Sequence, residues 1–312
     1  MARWSPVEAL LLGVVVQGVA SAYYGIKIGA ITTYNHGVTG NVSAAAEDAI
    51  IITGLNYDGR GPDAYFWAGN KGELEEESGD QLPDEAGSSK VLGSYKDSTV
   101  YLKLPKKITE YKSFGIFCKK FKADFGNVKL PVGFQLPKEQ SIGKLITKQP
   151  STTATDVILK DSATVLLKDF EYDGSCTDSA FFVAAPTSQA KPEELTHLIY
   201  GNGKTTALER HDKVDVNVTL PEGHHWNEFE WFAVYCVSKK ESFADITVNK
   251  GLAESVPVHN PKTLNKVTGS PGVASLLGPL SALSLFTWSV AAMVAAIVVR
   301  QCLDGYDPVE SC

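Results

Sequence analysis

Apolar and polar residues alternate over two stretches of this chain. Apolar side chains occupy every second position from Val214 to Leu220, and again from Val100 to Leu104. A period of two is typical of a β-strand with one face buried and one face in solvent. Helical periodicity is almost absent from the surrounding sequence. Several such strands within about 110 residues predict small antiparallel β-sandwich domains, and the fold class is therefore all-β.

The N-terminus departs from this pattern and predicts a signal peptide over residues 1–22. Arg3 precedes an apolar stretch at 9–16, and the small residues Ala20-Ser21-Ala22 follow it. That order is typical of a secretory leader, with cleavage expected before Tyr23. The mature chain is therefore expected to enter the secretory pathway.

The C-terminus predicts one transmembrane helix over 276–299. This apolar run has the length needed to cross a bilayer, and a cytoplasmic tail of 300–312 follows it. We therefore expect a single-pass type I protein of the cell membrane with an extracellular ectodomain. A GPI anchor is the alternative, because small residues precede the run. Cys302 is a candidate for palmitoylation by its position just after the span.

The middle of the chain contains two copies of one motif. Tyr-Asp-Gly is followed by Asp four residues after the glycine and by Phe three residues later. We therefore predict a first domain over 23–131, a second over 140–249, and a stalk over 250–272. An Asp-Gly pair is typical of a turn. The repeated residues are Tyr57, Asp58, Gly59, Asp63 and Phe66 in the first copy, and Tyr172, Asp173, Gly174, Asp178 and Phe181 in the second.

Composition narrows the possible functions. The net charge of −7 gives no overall attraction to phosphate, so we expect no nucleic-acid partner. No catalytic motif of a hydrolase and no metal-ligand motif occurs, which predicts neither an enzyme nor a bound metal. The acidic segment 69–89 is interpreted as a solvated loop. Asn41 and Asn217 begin glycosylation sequons.

Three of the five cysteines fall in the predicted ectodomain. Cys118 and Cys236 occupy the same place in the two copies, whereas Cys176 occurs only in the second. An odd number in an oxidising compartment leaves at least one thiol free, capped or paired between chains. A Cys176–Cys236 disulfide is the simplest pairing, but the sequence alone leaves the connectivity open.

The motif of the first copy resembles the DM-thirteen (DM13) domain family, which occurs in tandem in arthropod cuticle and matrix proteins. The run from Tyr57 to Trp67 includes Gly61-Pro62, and the chain continues with Cys118 and the later Asp-Phe-Gly. The second copy departs from this pattern, with Cys176-Thr177 in place of Gly-Pro. The resemblance covers roughly residues 25–249. In larger relatives, a DOMON domain follows the two tandem copies. In this chain, the segment between Asn249 and the predicted span is too short to hold a DOMON domain.

Two hypotheses of function follow. In the first, the chain is a membrane-anchored surface or matrix protein whose paired sandwiches bind an extracellular protein or polysaccharide, with a role in organising cuticle or matrix. Tyr65, Trp67 and Trp231 are then candidate binding residues, although core packing explains them equally well. In the second, which the resemblance implies, Cys118 or Cys236 serves extracellular electron transfer, as a bare thiol or as a ligand to haem. The residues themselves indicate no cofactor.

Overall fold

The computed structural model describes residues 22–177, 179–201, 203 and 205–264, and it is almost entirely β-structure. Every strand pair within these residues is antiparallel, which confirms the predicted fold class for this part of the chain. Among them, no helix has the length and apolar character that a membrane crossing requires. Residues 1–21 of the predicted signal peptide, the predicted membrane span and the cytoplasmic tail lie outside the described residues, as do Asp178 and Cys302.

The first copy folds as two sheets that enclose one core. Apolar side chains from both sheets meet between them, as alternation along each strand requires. The first sheet has the order β1-β3-β4-β7, and the second has the order β2-β9-β8-β5-β6. The strands are β1 (Ile26–Ala30), β2 (Thr32–Thr33), β3 (Thr39–Ala46), β4 (Ala49–Tyr57), β5 (Ala64–Gly69), β6 (Gly79–Leu82), β7 (Tyr95–Lys103), β8 (Ser113–Cys118) and β9 (Ala123–Lys129).

The second copy repeats this arrangement around its own core. One sheet has the order β10-β13-β14-β18-β17 with β12 also on β14, and the other has the order β11-β20-β19-β15-β16. The strands are β10 (Gln140–Gly143), β11 (Ile146–Thr147), β12 (Thr152–Thr153), β13 (Asp156–Leu159), β14 (Thr164–Tyr172), β15 (Ala180–Ala185), β16 (Thr196–His197), β17 (Ile199–Tyr200), β18 (His211–Thr219), β19 (Trp231–Cys236) and β20 (Glu241–Thr247).

Helical structure in the described residues is limited to short segments. The 3₁₀ turns at Ile108–Glu110 and Trp226–Glu228 each precede a central strand, and each buries an apolar residue, Ile108 or Trp226. The other 3₁₀ turns are Glu76–Ser78, Pro192–Glu194 and Pro261–Leu264, and the α-helical turn α1 spans Lys250–Ala253.

The alternation that predicted β18 holds for only part of the strand. Val216 and Val218 are buried as expected, but the side chain of Val214 is 44% exposed. The register between β14 and β18 shifts on both sides of the Phe170–Val214 pair, and Lys213 has a positive φ of 50°. The extra residue before Phe170 lies on β14, and the one before Val214 lies on β18, so Val214 sits where the pairing is interrupted on both sides. The prediction that Val214 faces the core was therefore wrong.

The acidic segment 69–89 is more ordered than a solvated loop. It contains the strand β6, which pairs with β5 and extends the sheet. Leu74 in the connecting loop is only 3% exposed, because it packs against Trp67 and Phe117. The interpretation of this segment as a solvated loop was therefore wrong for Leu74 and β6. The glutamates around Leu74 gave the segment a polar composition that did not indicate a buried residue.

Residues 250–264 form a segment, here called the strap, that contacts both domains. Val256 is part of the core of the second domain, whereas Val258 packs against the first domain and its amide donates to the Ala45 carbonyl at 2.8 Å. The hydroxyl of Tyr23 lies 2.9 Å from each of two strap carbonyls. The part of the predicted stalk that the structure describes is thus folded onto the domains.

Candidate functional site

Cys118 lies at the end of β8 with its side chain in the core of the first domain. It pairs with Ala64 on β5 and with Ala123 on β9, and its exposed fraction is 0%. Side chains alternate along a strand, so Phe114 and Ile116 share this inward face. The lysines that follow Cys118 lie in the turn beyond the strand. Within the described residues, Cys118 is the free cysteine.

The Tyr-Asp-Gly motif packs beside this thiol through Tyr57. The phenol oxygen of Tyr57 accepts a hydrogen bond of 2.9 Å from the amide of Gly61. Burial raises the pKa of Tyr57, and the nearby Asp58 and Cys118 raise it further, whereas the bond from Gly61 opposes the shift. A neutral phenol therefore lies next to the thiol, and it fixes the loop that leads into β5.

The rest of the motif has a turn-forming role. Asp58 accepts a bond of 2.9 Å from the amide of Arg60, and Asp173 accepts the equivalent bond from Ser175. Gly59 and Gly174 adopt the positive φ that such turns need, at 73° and 80°. Asp63 accepts a hydrogen bond of 2.7 Å from the hydroxyl of Tyr65, and Pro62 lies exposed in the turn. Phe66 is buried in the core of the first domain. Phe181 is half-buried on the face of β15 that points away from the core of the second domain.

A group as large as haem does not fit beside Cys118. A Cβ atom placed on Gly61 would come within 2.5 Å of the Tyr57 oxygen, 2.6 Å of the Phe125 ring and 2.9 Å of Ala64. At Gly61, a Cβ atom is accommodated only if these neighbours shift, and the thiol of Cys118 itself has no solvent-accessible surface. In addition, no cluster of three or more potential metal ligands occurs among the described residues.

In the second domain, the equivalent cysteine is not a free thiol. Cys236 ends β19 as Cys118 ends β8, and it forms a disulfide with Cys176. The amide of Cys176 donates to the Tyr172 hydroxyl at 2.9 Å, which repeats the bond between Gly61 and Tyr57. The candidate redox residue Cys236 is therefore held in a structural cross-link, and Cys118 is left as the free candidate in the described part of the chain.

Removal of the Tyr57 hydroxyl is expected to destabilise the first domain. Tyr57→Phe leaves the buried amide of Gly61 without an acceptor, which costs about 1–3 kcal/mol. Chemical denaturation with peptide-resolved hydrogen exchange measures the change in each domain. Tyr172→Phe is the matched variant, and it is expected to affect only the second domain. Equal protection of the first domain in Tyr57→Phe and wild type would contradict this role.

A cluster that the sequence analysis missed connects Tyr57 to the surface. The ring of Phe125 lies 6.3 Å from that of Tyr57, and His36 lies 4.2 Å from Phe125. The Nδ1 atom of His36 is 3.0 Å from the carboxylate of Asp58. Phe125 belongs to the Asp-Phe-Gly of the motif, so the sequence could have indicated that it lies near the Tyr-Asp-Gly turn. His36 is a single histidine far from the motif in sequence, so no local pattern indicated it.

In each domain, a connecting loop packs on the outer face of the sheet that contains the central strand β8 or β19. In the first domain, the loop that holds Leu74 covers Trp67 and Phe117. In the second domain, Ala190 and Leu195 of the loop pack on this face, and a groove of about 470 Å³ lies beside them. Trp231 and Tyr235 line its apolar part. The polar lining includes Lys148, Gln189, Lys240, Ser242, Asp245 and Thr247.

The aromatic residues predicted as a binding surface have different positions. Trp67 is 4% exposed beneath its loop, and Tyr65 is half-buried at the edge of the same cluster. Trp231 is 6% exposed but lines the groove. The strand pairing aligns Trp231 with Ser113 of the first copy. This difference between the two copies was the sequence feature that could have indicated the groove.

Both predicted glycosylation sites are accessible. Asn41 lies on β3 and Asn217 on β18, and both side chains are exposed. Neither side chain lies in the groove. A glycan on either residue would leave the groove lining unmodified.

Comparison with known proteins assigns both copies to one domain family. Residues 30–130 and 144–248 each match the domain family described as "Electron transfer DM13". Protein Skeletor, isoforms B/C, of Drosophila melanogaster is 33% identical over 241 residues, which cover 75% of this chain and 30% of that protein. Skeletor isoforms D/E show the same identity over 16% of their length. The chain therefore spans less than a third of the curated relatives it matches. No solved structure matches it.

Proposed function

The chain belongs to the DM13 family, with two tandem copies of the domain, and we propose that it is a membrane-anchored extracellular protein that binds a protein or polysaccharide of the surface or matrix. The observation that carries this proposal is the groove on the second domain. Trp231, Tyr235 and polar side chains line it, and the loop that carries Ala190 forms one of its walls. Most of the lining is polar, so hydrogen bonds and ionic contacts, rather than apolar burial, would hold a ligand there.

An extracellular location is supported by two features of the fold. The Cys176–Cys236 disulfide needs an oxidising compartment to form and persist. The exposed Asn41 and Asn217 are accessible to glycosyltransferases. A type I span remains our proposal for the anchor, with a GPI anchor as the alternative.

The location is tested in cells that express the full chain. We expect surface biotinylation and a mobility shift after glycosidase treatment, and the shift should disappear in the Asn41→Gln, Asn217→Gln double variant. Phospholipase release separates a GPI anchor from a span. A chain that is neither glycosylated nor labelled at the surface would rule out this location.

Binding is tested with matrix separated into protein and polysaccharide fractions. The immobilised fractions are incubated with the purified full chain, and the retained amount is measured. The Cys176→Ala variant, which lacks the disulfide of the second domain, is the folding control. We expect saturable retention on one fraction. No retention on either fraction would contradict the proposed function.

The second candidate function is electron transfer through Cys118. The observation that favours it is the free thiol packed against Tyr57 in a family described as electron-transferring. Its complete burial argues against exchange with a soluble partner, because reactive thiols are partly exposed.

The two functions differ in the expected behaviour of Cys118. We expect the thiol of the folded chain to resist alkylation, to react once denaturant is added, and to show no visible absorption band. Alkylation followed by mass spectrometry of the peptide that contains Cys118, together with absorption spectroscopy, measures this separately from Cys302 and Cys312. Rapid labelling under native conditions, or a coloured protein, would favour the redox function instead.

A further inference from the structure

A segment of the chain covers the outer face of the sheet that contains β4. Ile51 and Tyr101 pair across β4 and β7, and both belong to the apolar cluster on the side of the sheet that faces away from the core. Val258 and Leu264 of the strap belong to the same cluster. The first domain therefore closes this face with its own chain.

The equivalent face of the second domain keeps an apolar strip in partial contact with solvent. The repeat aligns β14 with β4 and β18 with β7, so the pair Leu166–Asn217 stands where the first domain has Ile51–Tyr101. On its other side, Leu166 pairs with Ile158 of β13. Both apolar side chains are half-buried, and none of the apolar clusters of the described residues includes them.

Alternation along the strands puts this strip and Asn217 on one side of the sheet. Their neighbours Val165 and Val218 lie in the core of the second domain. Leu166 and Asn217 therefore point to the opposite side, and Ile158 continues the row on β13. Residues directly opposite each other in an antiparallel pair have Cβ atoms about 4.5–5.5 Å apart, so Asn217 is an immediate neighbour of Leu166.

The strap reaches this face only at its edge. The Nδ1 atom of His259 lies 3.3 Å from the hydroxyl of Thr164, two residues before Leu166 on the same side of β14. At its end, the strap packs on the first domain through Leu264. The cover that it gives to the first domain therefore does not continue over Leu166.

We propose that an N-linked glycan on Asn217 covers this strip, as the strap covers the same face of the first domain. Asn217 begins a sequon and its side chain is exposed. The first sugar residue lies with the C–H groups of its ring against Leu166, and the glycan continues over Ile158. This contact removes apolar surface from water and stabilises the second domain. The inference rests on the proposed extracellular location, and it assigns the glycan a position and a structural role.

The other sequon has different surroundings. Asn41 is also exposed on a strand, but its cross-strand partners are Thr53 of β4 and Ala30 of β1. A hydroxyl-bearing side chain and a single methyl group offer a sugar ring little apolar surface. A glycan on Asn41 is therefore expected to leave the stability of the first domain unchanged, and this site serves as the matched control.

The experiment uses the full chain produced in cells that add N-linked glycans. Peptide mass spectrometry measures the occupancy of Asn217, and hydrogen exchange resolved to each domain measures stability. Asn217→Gln is expected to raise the exchange rate of the second domain by about fivefold, the change that corresponds to uncovering roughly 40 Å² of apolar surface. Asn41→Gln is expected to leave the exchange rate of the first domain unchanged.

Two further measurements test the contact with Leu166. An endoglycosidase that leaves one sugar residue on each asparagine should not alter exchange in the second domain, because the first sugar makes the contact. Leu166→Thr removes the apolar surface beneath that sugar. In the Leu166→Thr background, Asn217→Gln is therefore expected to have no further effect, since the two changes remove the same interaction.

Three results would overturn the inference while the extracellular location stands. The first is a chain glycosylated at Asn41 but not at Asn217. The second is an equal effect of Asn217→Gln with and without Leu166→Thr. The third is a trimmed chain whose second domain exchanges as fast as that of Asn217→Gln. Absence of glycans from both asparagines would remove the proposed location and the inference together.

Discussion

Replacement of Cys176 by alanine is expected to destabilise the second domain by about 4 kcal/mol, the loop-closure value for a cross-link that spans 60 residues. The disulfide restricts the unfolded chain, and its loss also leaves Cys236 as a buried thiol without a partner. Unfolding of a two-domain chain need not be two-state, so the change is measured by hydrogen exchange resolved to each domain.

The matched control is Cys118→Ala in the first domain. This change removes a small buried side chain and no cross-link, and we expect a cost of about 1 kcal/mol. Reducing agent should lower the stability of the wild-type second domain as Cys176→Ala does, and it should leave the first domain unchanged. Equal stability of oxidised and reduced second domains would show that the cross-link contributes nothing.

Gly61→Cys is expected to create in the first domain the cross-link that the second already has. The amides of Gly61 and Cys176 make the same 2.9 Å bond to a tyrosine hydroxyl, so the backbone presents position 61 towards Cys118 in the same way. A loop of similar length contributes about 4 kcal/mol. Crowding of the new Cβ against Tyr57 and Phe125 offsets about 1–3 kcal/mol of this gain.

Gly61→Ala separates these two effects, because it introduces the same Cβ atom without a thiol. We expect it to be less stable than wild type by about 1–3 kcal/mol. Mass spectrometry of proteolytic peptides shows whether positions 61 and 118 are joined in Gly61→Cys, independently of Cys302 and Cys312 elsewhere in the chain. Separate, alkylated peptides for positions 61 and 118 in the oxidised variant, with stability equal to Gly61→Ala, would contradict the predicted cross-link.

Most of the fold was predictable because strand alternation and the tandem motif are local signals. The exposure of Val214 was not, since a bulge in β14–β18 depends on pairing between strands distant in sequence. The burial of Leu74 was missed for a similar reason. Its neighbours are acidic, and only the assembled sheet supplies the apolar surface that it covers.

The candidate site was predictable in its residues but not in its environment. The cysteine positions and the turn residues follow from the repeated motif, and Cys176 was visible as an addition in the second copy. Whether Cys118 is exposed depends on both sheets and on the Tyr57–Gly61 contact. The groove depends on how the loop with Ala190 and Leu195 lies on its sheet, which no local sequence pattern shows.

The strap has a mechanical consequence. Tyr23, near one end of the described residues, and Leu264, at the other end, belong to the same apolar cluster on the first domain. Tension that enters the chain after Leu264 therefore loads the strap contacts before it reaches either sandwich. Because Val256 is part of the core of the second domain, peeling of the strap would uncouple the domains while each sheet stays intact. The strap would then limit the force that reaches the two sandwiches.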